Sequence, residues 1–371
     1  MLDGTKLDGA GHTVGEAPRR LRMLLLPSVR WRPNWDAFTP GAYPDPVLMY
    51  QLLARDHAID TTLIDPFGLP WNPFAGRHQV LAGLDPARAL AVLTRHRAAD
   101  LVLACFEPGA VALLALRRLA AFRAPVAIVD IGLTEGWRLR ERLLDFVVPR
   151  ADAIYPLGAN QVAYIRRRWA TSADVRFIHQ HVDTEFYQPG APVPAVGPVL
   201  SVGPVLSVGD DHGRDFDTLL KAFAGLDANL LLKSSLVPPG AAPPNVQVVP
   251  GRLDAHAYRA LFHQAPLVVV PLRPMLTASG VGTLLEAMAM GKALIVSDSP
   301  GLRDYVSHEE TALVVPCGDA PALRAAIERL LREPGTRARL GAAARAFVER
   351  HCTYAAHVAK LAAALRTLVP P

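Results

Sequence analysis

Residues 266–306 read PLVVVPLRPMLTASGVGTLLEAMAMGKALIVSDSPGLRDYV, and the reading of this stretch decides the fold. Residues 267–270 are an apolar, β-branched run closed by Pro271, the pattern of a strand buried on both faces. The loop that follows ends in Ala278-Ser279-Gly280-Val281-Gly282-Thr283. Residues 283–290 favour helix, Gly291 supplies a C-terminal stop, and 293–296 repeat the buried-strand pattern. Strand, glycine-bearing loop, helix and parallel strand make one βαβ unit. The loop precedes a helix start, where first-turn N–H groups lack partners and the helix dipole is positive, so it suits a phosphate. Glu286 lies about one turn inside that helix. A carboxylate there can accept hydrogen bonds from sugar hydroxyls.

At 371 residues the chain exceeds one ordinary core, and two domains are expected. Half of it is hydrophobic (51%) and 20% is charged, the balance of a globular protein with ample core. No apolar run is long enough for a membrane span. Residues 1–20 carry acids and no apolar segment, so they are expected to be a disordered extension and not a secretory signal. Cys105, Cys317 and Cys352 have no metal-ligand or redox spacing and read as small buried residues in a reducing compartment. The expected location is therefore cytoplasmic. Net charge is +5, with arginines gathered at 19–22, 138–142 and 166–168. Solvated helix faces explain most such clusters. The alternative is peripheral contact with anionic lipid on the inner membrane face. No basic groove interleaved with aromatics marks nucleic-acid binding.

Taken in order, the chain alternates strand and helix. Strand 21–26 leads into a long loop carrying Trp31 and Asn34, and loops at the carboxyl end of a first parallel strand are where ligand contacts gather. Glu107 and Asp130 end the strands 101–104 and 126–129, as acceptor-orienting residues or as helix caps. Further elements are helices at 110–121 and 137–148 and a strand at 175–178. Residues 188–196, QPGAPVPAV, read as a linker. A tandem repeat follows, GPVLSV at 197–202 and again at 203–208; the copy joined to Gly209 is the natural opening strand of the second domain, and the register in which the first copy pairs instead stays open. That domain runs through helix 215–226, strand 229–233, strand 246–249 and the opening βαβ unit to helices ending near 368. The alternation throughout implies doubly wound parallel sheets. The expected division is extension 1–20, first domain 21–187, linker 188–204, second domain 205–350, and a terminal helix at 351–371 able to cross back.

Several segments in this order resemble one family. They are Ala151-Asp152-Ala153-Ile154, Val182-Asp183-Thr184-Glu185-Phe186, the loop and helix at 209–222, LEAMAMGKALIVSD at 285–298, and the stretches 311–318 and 341–353. Together they resemble the GT-B glycosyltransferases of the large retaining family, glycosyl transferases group 1, which includes bacterial mannosyltransferases and sucrose synthases. The resemblance spans about 21–368. It implies two Rossmann-like domains facing across a cleft, with the nucleoside diphosphate-sugar donor held by the second and the acceptor by the first.

Carried over by position, Glu286 would accept hydrogen bonds from ribose hydroxyls, and Ser279, Gly280, Val281, Gly282 and Thr283 would meet the donor phosphate or sugar. Gly209 and Arg214 would form the phosphate loop, with Lys233 as a second cation. Arg252 and Leu253 would lie near the base. Trp31, Asn34, Glu107 and Asp130 would face the acceptor. Arg214, Glu286 and Asp130 are the catalytic candidates. No cofactor beyond the donor and no metal is implied. Transfer of a hexose to a glycan, lipid-linked glycan or small acceptor, with retention and in polysaccharide biosynthesis, is the implied activity. A nucleotide-sugar epimerase or hydrolase, or a noncatalytic partner subunit, are the competing functions. Three positions depart from the family: Ala278 stands where its first glutamate is usual, Asp210 where an arginine follows Gly209, and His181 where a glycine precedes Val182.

Overall fold

The computed structural model describes residues 19–28, 48–66, 85–133, 138–190, 203–238 and 240–370. Trp31 and Asn34 lie outside the described residues, as do 1–18 and the first GPVLSV copy.

The first sheet comprises β1 (Leu21–Leu26), β2 (Ile59–Leu63), β3 (Leu101–Cys105), β4 (Val126–Val129), β5 (Ala153–Tyr155) and β6 (Asp174–Val175). Its order is β2-β1-β3-β4-β5-β6 and every pairing is parallel. The helices that cover it are α1 (Leu48–His57), α2 (Pro86–Arg95), α3 (Pro108–Leu116), α4 (Arg138–Val147) and α5 (Ala159–Arg168). Along β1 the side chains alternate between two cores. Leu21, Met23 and Leu25 enter one, and Leu24 and Leu26 the other. Beyond the exposed Arg22, both faces of the strand are therefore dry, as a doubly wound parallel sheet requires.

The second sheet holds β7 (Val205–Val208), β8 (Leu230–Lys233), β9 (Val246–Val249), β10 (Leu267–Val270), β11 (Ala293–Ser297) and β12 (Leu313–Val315), in the order β12-β11-β10-β7-β8-β9, again all parallel. The second GPVLSV copy forms β7, in register with Leu230–Lys233. Val268 and Val270 face one core, Leu267 and Val269 the other. The helices are α6 (Phe216–Phe223), α7 (Ala255–Gln264), α8 (Val281–Ala289), α9 (Ala320–Arg332), α10 (Pro334–His351) and α11 (Tyr354–Arg366). Asp215, Asp254, Asp319 and Thr353 cap α6, α7, α9 and α11, each accepting a first-turn N–H.

Several boundaries differ from the sequence reading for local reasons. The third helix begins at Pro108 and stops at Leu116, and a turn with Ala121 at φ 49° replaces its expected last residues. The strand expected at 175–178 stops at Val175, although the Arg176 and Ile178 N–H groups still donate to the Ile154 and Pro156 carbonyls. Helix α8 starts two residues earlier than Thr283, because Gly280 at φ 78° turns the chain into it.

Helix α11 crosses to the first domain. Val358, Leu361, Ala362 and Leu365 lie in the same core as β1 and α1 residues Leu21, Met23, Tyr50 and Leu53. The crossing is pinned by the Val182 N–H, which donates to the Cys352 carbonyl at 2.8 Å. On the other side Tyr305 Oη donates to the Leu157 carbonyl at 2.8 Å and accepts the Gln180 N–H at 3.0 Å. Among the described residues no helix is long and apolar enough to cross a membrane.

Candidate active site

In the second sheet the strand order reverses between β7 and β10, and open α/β sheets bind ligands at the carboxyl ends of strands at such a point. The loops after these two strands, Gly209–Arg214 and Thr277–Thr283, line a cavity of about 650 Å³. Across it lie Phe106, Asp130, Ile131, Gly132 and Arg140 of the first domain. The size suits a nucleotide-scale ligand.

Arg214 organises the second-domain wall. It is 4% exposed; Nε donates to Asp211 Oδ2 at 2.7 Å and Nη2 to Thr283 Oγ1 at 3.0 Å. Its remaining nitrogen, Nη1, is buried without a hydrogen-bond partner. A buried guanidinium donor left open is rare and costly, and it is suited to an anion. Glycine is required at 209 because a Cβ would fall on that guanidinium. Asp211 also accepts from Ser279 Oγ and from the Gly213 N–H at 3.2 Å. Burial pushes its carboxyl up, but Arg214, Ser279 and Gly213 outweigh this and hold it below the ordinary value. An internal carboxylate thus occupies part of the cation's bonding.

The helix start adds backbone donors. The Val281 N–H is taken by the Ala278 carbonyl at 3.1 Å, so Gly282 and Thr283 are the first-turn positions left to serve a ligand. Ala278 is buried in the loop and offers no polar group there.

Glu286 does not line the cavity. Its carboxylate accepts from Tyr187 Oη at 3.1 Å and Tyr258 Oη at 2.8 Å. Burial raises its pKa from 4.5 to about 7, against the lowering by those hydroxyls and by Arg214. The folded chain therefore holds a proton that the unfolded chain releases, so this stabilisation is complete below about 4.5 and lost as pH rises through about 7. Glu286→Gln should flatten the fall in melting temperature between about pH 5 and pH 7.5. An unchanged slope would remove the assigned burial.

The remaining sequence-expected residues separate. Lys233 lies 3.9 Å from Asp210, which also accepts from the Ser234 hydroxyl and the Ser235 N–H. Lys233 is not among the lining residues, although its partner Asp210 and Gly209, whose N–H donates to the Lys233 carbonyl at 3.1 Å, are. Lys233→Ala should leave nucleotide affinity within about twofold by calorimetry, since an uninvolved side chain contributes little. Arg252 is exposed and Leu253 37% exposed ahead of α7, outside the lining.

Glu107 is not at the cavity surface; it holds the N-cap position of α3 without a side-chain cap hydrogen bond. It is fully buried, pairs with Arg140 Nη2 at 2.6 Å and accepts the Gly132 N–H at 3.0 Å. It thereby holds Arg140, a cationic wall residue that sequence alone does not separate from the surface arginines. Asp130 does line the cavity, and burial, then Glu107, raises its pKa to about 7 while Arg140 lowers it. Asp130 and Phe106 both hold left-handed backbone, at φ 56° and 63°, a strain that non-glycine residues tolerate at functional sites.

Two doubly wound parallel-sheet domains, facing across a cleft with a helix start at the second sheet's switch point, define the GT-B architecture. Residues 241–347 match the model of the family Glycosyl transferases group 1. The fold is also that of sucrose-phosphate synthase from Thermosynechococcus elongatus, at 21% identity and TM-score 0.73, covering 94% of this chain and 99% of that one. HepE from Anabaena, solved with UDP and glucose, matches at 14% identity and TM-score 0.66, over 94% and 100% of the two chains. The catalytic domain of starch synthase IV from Arabidopsis thaliana, bound to ADP and acarbose, matches at 8% and 0.65, over 94% and 99%. No curated protein matches the sequence.

Proposed function

We propose that the chain is a glycosyltransferase that moves a hexose from a nucleoside diphosphate-sugar to an acceptor hydroxyl, with retention of configuration. The observation that carries this is the buried Arg214, with Nη1 unbonded between the Gly209 loop and the α8 start. Solved relatives of the fold were obtained with UDP, UDP-glucose or ADP, which supports a nucleotide donor here. In the reaction the C1–O bond to the diphosphate breaks and a C1–O bond to the acceptor oxygen forms on the same face. The acceptor proton passes to the departing diphosphate oxygen. Arg214 and the Gly282 and Thr283 N–H groups stabilise the charge gained by the leaving group, an effect larger in the transition state than before it.

Arg140, held by Glu107, adds positive charge from the first domain. Asp130 orients the acceptor hydroxyl. Glu286 lies outside the lining, and a ribose reaches it only where its hydroxyls displace those of Tyr187 and Tyr258. The acceptor belongs to glycan, lipid-linked glycan or small-molecule chemistry, and the reaction belongs to the cytoplasm.

A second reading, a GT-B subunit without turnover, is favoured by Ala278 and by the Asp211 carboxylate bound to Arg214. Incubation with UDP-, GDP- and ADP-hexoses, following nucleoside diphosphate release and the anomer formed, separates the two. Release with a retained anomer is expected. An inverted anomer removes retention, and binding without release from any donor supports the second reading.

A further inference from the structure

The first sheet has a switch point of its own, between β1 and β3. Beside it, at the carboxyl ends of β3 and β4, lies a second cavity of about 170 Å³. Much of its wall is apolar: Met49 from α1, Leu103 from β3, Val129 from β4 and Leu361 from α11. Cys105 adds a thiol that burial pushes up to about 12, so at neutral pH it is an uncharged and essentially apolar group. Apolar cavities of about 150 Å³ take up a benzene-sized body.

Polar side chains complete the wall: Tyr50, Asp130, Gln180, His181 and His357. His181 lines the cavity, and its Nδ1 is buried without a hydrogen-bond partner. Buried polar atoms in that state call for a partner. Phe106, Asp130, Leu157 and Gln180 line both this cavity and the large cleft. The two spaces therefore meet at the residues with left-handed backbone, Phe106 and Asp130. A group seated in the small cavity reaches the cleft beside the Asp130 carboxyl.

We propose that this cavity seats an apolar group of ring or short-chain size carried by the acceptor, whose hydroxyl leaves the cavity at Asp130. The acceptor is then an amphiphilic alcohol or phenol and not a free polyol. A polyol would bury several hydroxyls against Met49, Leu103, Val129 and Leu361, which offer them no hydrogen-bond partner. The proposal rests on the transferase reading for the word acceptor; the cavity's preference for ligands does not.

Calorimetric titration of the full chain with phenol, cyclohexanol and glucose tests it, with UDP titrated in parallel. Saturable binding of the two ring alcohols and none of glucose is expected. Val129→Phe and Cys105→Phe, which fill the cavity, should each weaken ring-alcohol binding by about tenfold or more and leave UDP affinity within about twofold. Glucose binding in place of the ring alcohols overturns the proposal. So does an absence of ring-alcohol binding, or binding unaltered in both filled variants. The wild-type comparison decides even if a filled variant does not fold. Ring-alcohol binding lost on filling, with no affinity for UDP or any other nucleoside diphosphate, would sink the transferase reading and leave the cavity's ligand class standing.

Discussion

Arg214→Ala is expected to lower affinity for a nucleoside diphosphate by about 10- to 100-fold, from about 1.5–3 kcal/mol for hydrogen bonds to a charged group. The loss has two sources. The substitution removes the buried cation with an unbonded nitrogen, and it leaves the Asp211 carboxylate uncompensated where the phosphates approach. Breaking a buried pair on one side also destabilises the fold. Arg214→Lys should recover little, because one ammonium cannot hold Asp211, Thr283 and a phosphate in the guanidinium's geometry. Asp211→Asn should act in the opposite direction. It keeps an acceptor for the Gly213 N–H and the Ser279 hydroxyl while releasing the cation, so affinity should rise severalfold. Calorimetry with UDP, ADP and GDP across the three variants measures both effects. Equal affinities throughout would place the phosphates elsewhere.

The second large effect concerns α11. A chain ending at Thr353 loses Val358, Leu361, Ala362 and Leu365 from the core that holds Leu21, Met23, Leu25, Tyr50 and Leu53. Each buried leucine or valine contributes about 1.5–3 kcal/mol, against a total stability of only about 5–15 kcal/mol for a domain. The bared face of the first sheet is then an aggregation surface. The truncated chain is expected to be insoluble, or soluble without a cooperative unfolding transition for the first domain. A soluble chain with the full-length melting profile would show that this helix is dispensable. The same helix supplies Leu361 and His357 to the smaller cavity, so stability and that cavity depend on one element.

Much of the fold is legible in the sequence because its determinants are local. The runs at 267–270 and 293–297 are buried on both faces, and only a parallel sheet with two covered sides needs such runs. Asp215, Asp254 and Asp319 mark helix starts by their own side chains. The two GPVLSV copies are each followed by a glycine, Gly203 and Gly209, so the local sequence does not choose between them; the pairing of the second with Leu230–Lys233 does.

The site is less legible, since its decisive contacts join distant residues. Tyr187 meets Glu286 across 99 positions, and Asp211 meets Ser279 across 68. Glu107 reads as a strand-end acid, and only the fold reveals that it lies under Arg140 and Gly132. Arg140 stands in an amphipathic, arginine-rich helix, where periodicity cannot separate one inward guanidinium from its solvated neighbours. Glycine and arginine at 209 and 214 were readable through the family resemblance. The Asp211 carboxylate that shares that arginine had no signal in sequence beyond its neighbouring acid.

The central claim is that the Gly209–Arg214 and Thr277–Thr283 loops hold a nucleoside diphosphate. Titration of the wild-type chain with UDP, ADP and GDP, followed by the heat of binding, tests it most directly. One of the three should bind saturably at one molecule per chain. No saturable binding of any of them would contradict it.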